Sequence, residues 1–429
     1  MENKIKVGII GAGFTGLSAG YFLVKKGYKV DIFESYSKPG GLASGFKEDN
    51  WSWILEDHYH HLFSNDDKVL GLAKDAGHKI EFHRPKTSAL VGDRIYQLDS
   101  AISLLKFPGI PLIDRIRMGF TIAYLKKLAK WKDLEKHTAE VWLKKYMGVN
   151  SWKVIWEPLF KAKFNDYAHL IPASWFWARI VKRTAILGYP QSGFGAFAQN
   201  LTDKITEHGG KIFYNTKVSS IKKIDDKLDV KLVNDEKNEY DKVICTLSTK
   251  AFLNITKELP RDYISEYKDL TGIGALTLIL SLKRKFFSDG TYWLSVNDDS
   301  YPFVSVVEHT NMIESKHYGN ENILYVGNYL KNDNKLMDLP ERELVKHYFP
   351  YLKKINSDLK ISDIKRSWLV RSDFAQPIVT VNYSKKIPPI KTPIKGLFLA
   401  NMQQVYPWDR GTNYAVELGI KVANLVNNH

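Results

Sequence analysis

Cysteine is almost missing: Cys245 is the only one in 429 residues, so no disulfide within the chain braces the fold. No stretch of about 18 consecutive apolar residues occurs, so no segment is expected to cross a bilayer as a helix. Internal repeats and low-complexity linkers are absent too, which argues against solenoids and tethered modules. The first ten residues run straight into a strand pattern, with no apolar leader and cleavage site. Acid is in deficit, with 47 Asp and Glu against 62 Lys and Arg, for a net charge of +15. The expected location is cytoplasmic, free or peripheral to a membrane. The length calls for two or three domains, nested or in series.

The charge is uneven. From Ala101 to Arg183 there are 16 Lys and Arg against 6 Asp and Glu, so most of the excess lies in one segment. Six of the eleven tryptophans fall between Trp131 and Trp177, interleaved with Lys144, Lys145, Lys153, Lys161 and Lys163 and followed by Arg179, Lys182 and Arg183. Three readings stay open: an aromatic-cored helical cap with a solvated basic surface, a site for an anionic substrate, or an anionic membrane surface. No nucleic-acid motif accompanies the charge, so nucleic acid is not an expected partner.

What is present is clearest at the start. Lys4–Ile10 reads as a buried parallel strand. Gly11-Ala12-Gly13-Phe14-Thr15-Gly16 follows, then a helix over Leu17–Lys26 stopped by Gly27. Tyr28–Phe33 is a second strand, ending at Glu34 and Ser35. Gly11 permits the turn, Gly13 lets the backbone approach a pyrophosphate, and Gly16 lets helix and strand pack closely. The N–H groups around Phe14 and Thr15 meet the phosphates, and Glu34 accepts from ribose hydroxyls.

Just beyond, Ser37-Lys38-Pro39-Gly40-Gly41-Leu42-Ala43-Ser44 adds a second glycine loop. With the first, it resembles the extended dinucleotide-binding motif of the superfamily of FAD-dependent amine oxidases, protoporphyrinogen oxidases and phytoene desaturases, with local likeness to UDP-galactopyranose mutase. The resemblance continues at Gly193–Phe197, at Val218, along Tyr240–Thr246, and at Gly396–Asn401 with Arg410–Gly419. It implies FAD as cofactor, with Gly40, Gly41 and Leu42 beside the pyrophosphate and the Val218 backbone on the adenine. It also implies Asn401 and Met402 near the ribityl chain, although many relatives carry an Asp where Met402 stands. Gly411, Thr412, Asn413 and Ala415 would point N–H groups at the flavin.

The implied fold class is α/β: a discontinuous, Rossmann-like FAD-binding domain of the glutathione-reductase-2 type with an inserted α+β substrate or cap domain. The FAD domain takes 1–85, 190–260 and 365–429. A mostly helical insertion takes 86–189, and a sheet-bearing insertion takes 261–364. Within the helical one, Ile113, Ile116, Phe120, Ala123, Tyr124 and Leu128 recur at helical spacing.

Glu56-Asp57-His58-Tyr59-His60-His61 follows the expected strand Trp51–Ile54. No metal is expected there, because the i, i+4 spacing and a second ligand cluster are missing. By position, His60 matches a histidine that relatives place beside the flavin, where it would donate a hydrogen bond or relay a proton. Arg371 stands where the chain of related enzymes passes close to the ring, and is a candidate binder of an anionic substrate or of reduced flavin, or a partner of Asp373. Tyr406 lies in the segment 403–409, whose aromatics fall where the flavin ring should lie. The resemblance implies an oxidase, dehydrogenase or desaturase that passes a hydride to flavin N5. The substrate is a small molecule, phosphate-bearing or lipophilic. The alternative is a mutase-like, non-redox reaction on a nucleotide sugar. Oligomeric state is not legible.

Overall fold

Lys6–Ile10, with Val7 and Ile9 fully buried, is the middle strand of a five-stranded parallel sheet. The order is Lys211–Phe213, Lys29–Phe33, Lys6–Ile10, Lys242–Cys245, Leu397–Leu399, all in parallel register. Such strands are covered on both faces, which is why they read as unbroken apolar runs. Along one face, helix Phe14–Lys25 packs against both Phe194–Glu207 and Thr412–Asn427. A three-stranded antiparallel meander, Val218–Ile224, Lys227–Leu232 and Lys237–Tyr240, covers the other through Ile221, Val230 and Tyr240. The computed structural model describes residues 4–92, 94–97, 103 and 107–427. The remaining residues of the expected segments, among them Ala101 and Lys106 of the basic stretch, lie outside the described residues.

A second sheet has seven strands in the order Ile364–Pro377, Gly272–Leu282, Asn322–Leu330, Ser305–Glu308, Thr291–Val296, Lys86–Val91, Arg94–Gln97. It is antiparallel except where Thr291–Val296 runs parallel to Lys86–Val91. Two boundaries therefore differ from the sequence expectation. The strands at 86–97 belong to this sheet and not to the helical insertion, and most of 365–377 is its edge strand and not a piece of the nucleotide-binding sheet. Both errors concern long-range pairing, which local periodicity does not report. Alternation sorts the faces. Leu276, Leu278 and Leu280 pack under helix Glu341–Ile355, while Thr277 and Ile279 face the nucleotide-binding sheet. The Trp51–Ile54 segment is not a strand. Trp51 and Trp53 are buried plugs, Trp51 against Phe46, Tyr318 and Trp368, and Trp53 stacked on His317.

The helical insertion runs through Leu112–Lys127, Trp131–Leu134, Ala139–Met147 and Val149–Ser151, a π-helical turn at Trp152–Trp156, then Glu157–Phe164 and Ala173–Lys182. Its tryptophans are largely core: Trp142, Trp152 and Trp175 pack with Phe160, Phe164 and Phe176. The stripe at Ile113, Ile116, Phe120, Tyr124 and Leu128 exists, but it faces outward. The covered side of that helix is Asp114, Met118, Thr121 and Leu125. Among the described residues, no helix is long and apolar enough to cross a membrane.

Candidate active site

The two glycine loops lie against each other. Gly40 N–H donates to Ala12 O at 2.9 Å, and Gly13 and Gly40 pair as a parallel bridge. Leu17 N–H donates to Gly13 O, so helix Phe14–Lys25 opens at the loop and leaves the N–H groups of Phe14, Thr15 and Gly16 without a carbonyl a turn above. No side chain caps them.

Two glycines separate what the protein needs from what a ligand needs. A Cβ on Gly16 would stand 2.0 Å from Gly11 O, so packing alone forbids a side chain there. A Cβ on Gly13 would meet nothing nearer than Gly41 Cα at 3.9 Å, and its φ of −72° suits any residue. The chain leaves that space open beside free helical N–H groups, which is the fit a pyrophosphate requires. Glu34, buried at the strand end, accepts from Ala12 N–H at 2.8 Å and Tyr36 N–H at 2.9 Å, with Ser35 Oγ at 3.3 Å. A carboxylate so held keeps lone pairs for ribose hydroxyls. Val218 is buried at a bulge that opens the meander.

The C-terminal pieces differ from expectation in detail. Asn401 is a clasp: its amide donates to Leu247 O and Thr249 Oγ1 and accepts from Gln403 N–H. Met402 opens a 3-10 turn and is half-buried. Ala415 N–H is taken by Gly411 O, which leaves the first-turn N–H groups of Gly411, Thr412 and Asn413. The Asn413 side chain accepts from Lys68 and Val69 N–H, capping the helix Asp67–Asp75.

Beyond Leu42 a narrow cavity of about 30 Å³ is lined by His58, Tyr59, His60, Thr277, Tyr329 and Arg410. At Tyr59, His60, Tyr329 and Arg410 it meets a larger cavity of about 220 Å³. His58 bonds Thr277 Oγ1 at 2.7 Å and Ser372 Oγ at 2.8 Å. His60 Nδ1 lies 2.6 Å from His58 O. A carbonyl only accepts, so Nδ1 carries the proton and Nε2 is left with a lone pair. Burial pushes His60 down to about 4, and His58 and His61 to about 3. All three are neutral at pH 7. His60 Nδ1–H is thus spent on the His58 carbonyl, and Nε2 faces away as an acceptor. The flanking acids serve the fold. Glu56 accepts from Tyr189 Oη and Phe194 N–H, and Asp57 from Ser44 Oγ. Among the described residues no group of three His, Cys, Asp or Glu is placed to hold a metal.

The larger cavity carries five cations, Lys163, Arg179, Lys182, Arg183 and Arg410, against two carboxylates, Asp66 and Asp409. Lys163 Nζ lies 2.6 Å from Asp409 Oδ2. Burial would raise Asp409, but Lys163, then Arg410 and Arg179, hold it well below the usual carboxylate range. Arg410 donates to Tyr329 Oη and to Gln376 Oε1. Arg179 and Lys182 come from one side of the last turn of helix Ala173–Lys182, at i and i+3, and Arg183 follows in extended backbone just past its end. Among the described residues none of the three has a carboxylate within 4.0 Å. Arg183 is pushed down to about 9, first by the charge of Arg179 and then by desolvation. Arg179 lies over the Trp175 ring and Lys182 over Trp408.

Two catalytic candidates sit elsewhere. Arg371 is exposed and donates to Met337 O and Leu339 O. Its neighbour Ser372 is the one that reaches His58, and strand alternation turns Arg371 the other way. Tyr406 bonds Ser174 Oγ at 2.8 Å and Glu135 Oε2 at 3.1 Å and packs edge-on to Trp131. It ties the C-terminal segment to the helical insertion. Asp409 and Arg410, three and four residues further on, reach the cavity instead. Only their distant partners, Lys163 and Gln376, reveal that role.

A parallel sheet with helices on one face and a β-meander on the other, carrying a nucleotide cradle at its strand ends and joined to an antiparallel sheet across a cationic cavity, is the α/β architecture of an FAD-dependent flavoprotein. The family model for flavin-containing amine oxidoreductases matches residues 14–427, and the chain belongs to that family. Coproporphyrinogen III oxidase of Staphylococcus aureus is 26% identical over 323 residues, 65% of this chain and 68% of that one. A candidate protoporphyrinogen oxidase from Exiguobacterium superposes with a TM-score of 0.78 at 14% identity over 100% of both chains. Reduced UDP-galactopyranose mutase superposes with a TM-score of 0.77 at 17% identity, over 99% of this chain and 96% of that one. The chain is an FAD-dependent oxidoreductase.

Proposed function

We propose that this oxidoreductase acts on a small polyanionic molecule. The observation that carries the reading is the row Arg179, Lys182 and Arg183, three cations without carboxylate partners on one wall of the cavity. Left alone, such a row is destabilised by its own repulsion, and a bound anion relieves it. Bound FAD supplies the hydride acceptor. The chain's own residues do the rest. Arg179 and Arg183 hold carboxylate or phosphate oxygens through paired N–H donors. His60 Nε2, with its lone pair free, accepts the proton that leaves as the hydride departs. Tyr59, Trp293 and Tyr329 wall the cavity and exclude water. Coproporphyrinogen, a carboxylate-bearing tetrapyrrole, is one molecule of this class, and the staphylococcal relative's name supports testing it first.

The test is anaerobic mixing of the FAD-loaded protein with carboxylate-bearing porphyrinogens, amines and sugar nucleotides, following loss of the flavin's visible absorbance. A polyanion should bleach it. Arg179→Ala with Arg183→Ala should then lower kcat/KM by at least roughly a hundredfold at unchanged flavin content, since hydrogen bonds to charged groups are worth about 1.5–3 kcal/mol each. Arg371→Ala is the control and should leave kcat/KM within about twofold. A neutral or cationic substrate as the only one oxidised would overturn the reading. The mutase-like alternative is favoured by the same cationic row, which suits a pyrophosphate. It predicts turnover of a sugar nucleotide only after prior flavin reduction, with no net bleaching.

A further inference from the structure

The helix Leu112–Lys127 is apolar on two sides and covered on one. Its inner side packs on helices Ala139–Met147 and Ala173–Lys182. Its outer side presents Leu112, Ile113, Ile116, Phe120 and Tyr124, with Leu128 one residue past the end. Phe120 is 75% exposed, Leu128 73% and Ile113 63%. Of the nineteen exposed large apolar side chains among the described residues, five lie on this one helix and a sixth, Leu128, is its C-cap. Scattered exposed leucines are ordinary, but an unbroken row at i, i+4 is not. Such a row on the outer side of a helix whose inner side is already packed belongs against another apolar phase.

The charge around the row says which phase. Lys126, Lys127 and Lys130 are exposed at its C-terminal end, and among the described residues none has a carboxylate within 4.0 Å. Asp114 is turned inward, held by Asn150 Nδ2 at 3.0 Å and Arg117, so the outer side bears no acid. A second copy would bring the same row and the same lysines, and no acid on that side to serve as their countercharge. A bilayer with anionic headgroups offers both what the apolar row and what the lysines lack. Among the described residues no helix is long and apolar enough to cross a membrane, so the element would lie in the interface plane.

We propose that the outer side of helix Leu112–Lys127 docks on an anionic lipid surface. The apolar row sinks to the acyl boundary, and Lys126, Lys127 and Lys130 meet lipid phosphates. This contact is independent of what the cavity oxidises. It does fix how the active site faces the membrane, because Leu112–Lys127 packs on the helix that carries Arg179 and Lys182 into the cavity.

The test is flotation of the FAD-loaded protein with vesicles of phosphatidylcholine alone and of phosphatidylcholine with a third phosphatidylglycerol. The expected result is binding to the anionic vesicles, weak binding to the neutral ones, and release by salt. Phe120→Ser with Leu128→Ser, and separately Lys126→Glu with Lys127→Glu, should each lower the partition coefficient by roughly tenfold or more. Flavin content and Tm should hold in both, because these side chains point outward. Failure to float with anionic vesicles overturns the proposal, and so does undiminished binding by both variants. A dimer in sedimentation equilibrium that Phe120→Ser with Leu128→Ser dissociates, without vesicle binding, assigns the face to a second copy instead.

Discussion

The glycine loops and the cationic cavity are both shaped to receive negative charge, yet they do so by opposite means. The loops use backbone N–H groups at a helix start and almost no side chain: Gly11, Gly13, Gly40 and Gly41 surround the open space, and Glu34 only braces it. The cavity uses long charged side chains brought from separate segments, namely Lys163, Arg179, Lys182, Arg183 and Arg410. A backbone cradle is set by local geometry and carries no net charge to bury. A cavity of arginines must be held apart by packing and neutralised in part from within, which is the role of Asp409. The first kind of site should fail through sterics and the second through electrostatics.

The largest effect should come from breaking the cradle. Gly16→Val drives a side chain into Gly11 O and should abolish both folding and flavin absorbance, seen as insoluble or colourless protein. Gly13→Ala is the sharper experiment. The protein has room for that methyl, so the thermal midpoint of the flavin-free protein should move by no more than about 1 kcal/mol equivalent. FAD affinity should nevertheless fall by at least roughly tenfold, because the methyl occupies the space left for the pyrophosphate. If Gly13→Ala unfolds the chain as Gly16→Val does, the distinction between a protein-imposed and a ligand-imposed glycine is lost.

The two regions also differ in how far they could be read from sequence, and the reason is distance along the chain. Gly11 to Gly16 and Glu34 lie within one contiguous unit and were read from spacing, and Gly40 and Gly41 from the resemblance that the next loop carries. His60 was found by its position after that unit, but its tautomer was not, because that depends on the His58 carbonyl. Arg371 was placed at the site for lack of strand parity. Once the register sets Ser372 toward His58, Arg371 must face away. The outward row at Phe120 and Tyr124 had the right period, but periodicity does not say which side is covered. The cationic cavity joins 59–66, 159–183, 293–305 and 409–414, and no local pattern announces that meeting.

In the cavity, the next largest effect should follow from Asp409→Asn. Lys163 then stays buried beside Arg179 and Arg410 without its countercharge. Removing one member of a buried pair costs up to about 3–5 kcal/mol, and less as pH rises past the value of about 7 to which burial already pushes Lys163, since a neutral lysine needs no countercharge; denaturant unfolding of the FAD-loaded protein would show the fall in midpoint. Asp409→Leu with Lys163→Met should recover most of that loss, because it removes both charges together. Equal instability of the double variant would mean that Asp409 acts through Gln376 and the Arg410 backbone, which it also contacts, and not through Lys163. Neither change should alter FAD binding by the cradle.

The smallest effect tests the junction between the regions, where His58, His60 and His61 are held neutral. Burial is the first cause for each, and for His58 the neighbouring His60 and Arg410 add to it. Their folded values, about 3 to 4, lie below the ordinary histidine value near 6.5. The unfolded chain therefore binds more protons than the folded one once pH drops below about 6.5, and stability must fall with pH over that window. It is fully present above pH 6.5 and is lost progressively toward pH 4, at up to about 1.4 kcal/mol per pH unit for each group. Release of FAD on heating, read as a rise in flavin fluorescence, gives the midpoint at each pH. His58→Gln keeps a group able to bond Thr277 and Ser372 but removes the proton site. It should flatten the acid limb by about 2 kcal/mol between pH 6.5 and 4.5 while leaving the midpoint at pH 8 nearly unchanged. An acid limb as steep in His58→Gln as in the parent would place the titrating groups elsewhere, with the buried His309 next to be replaced.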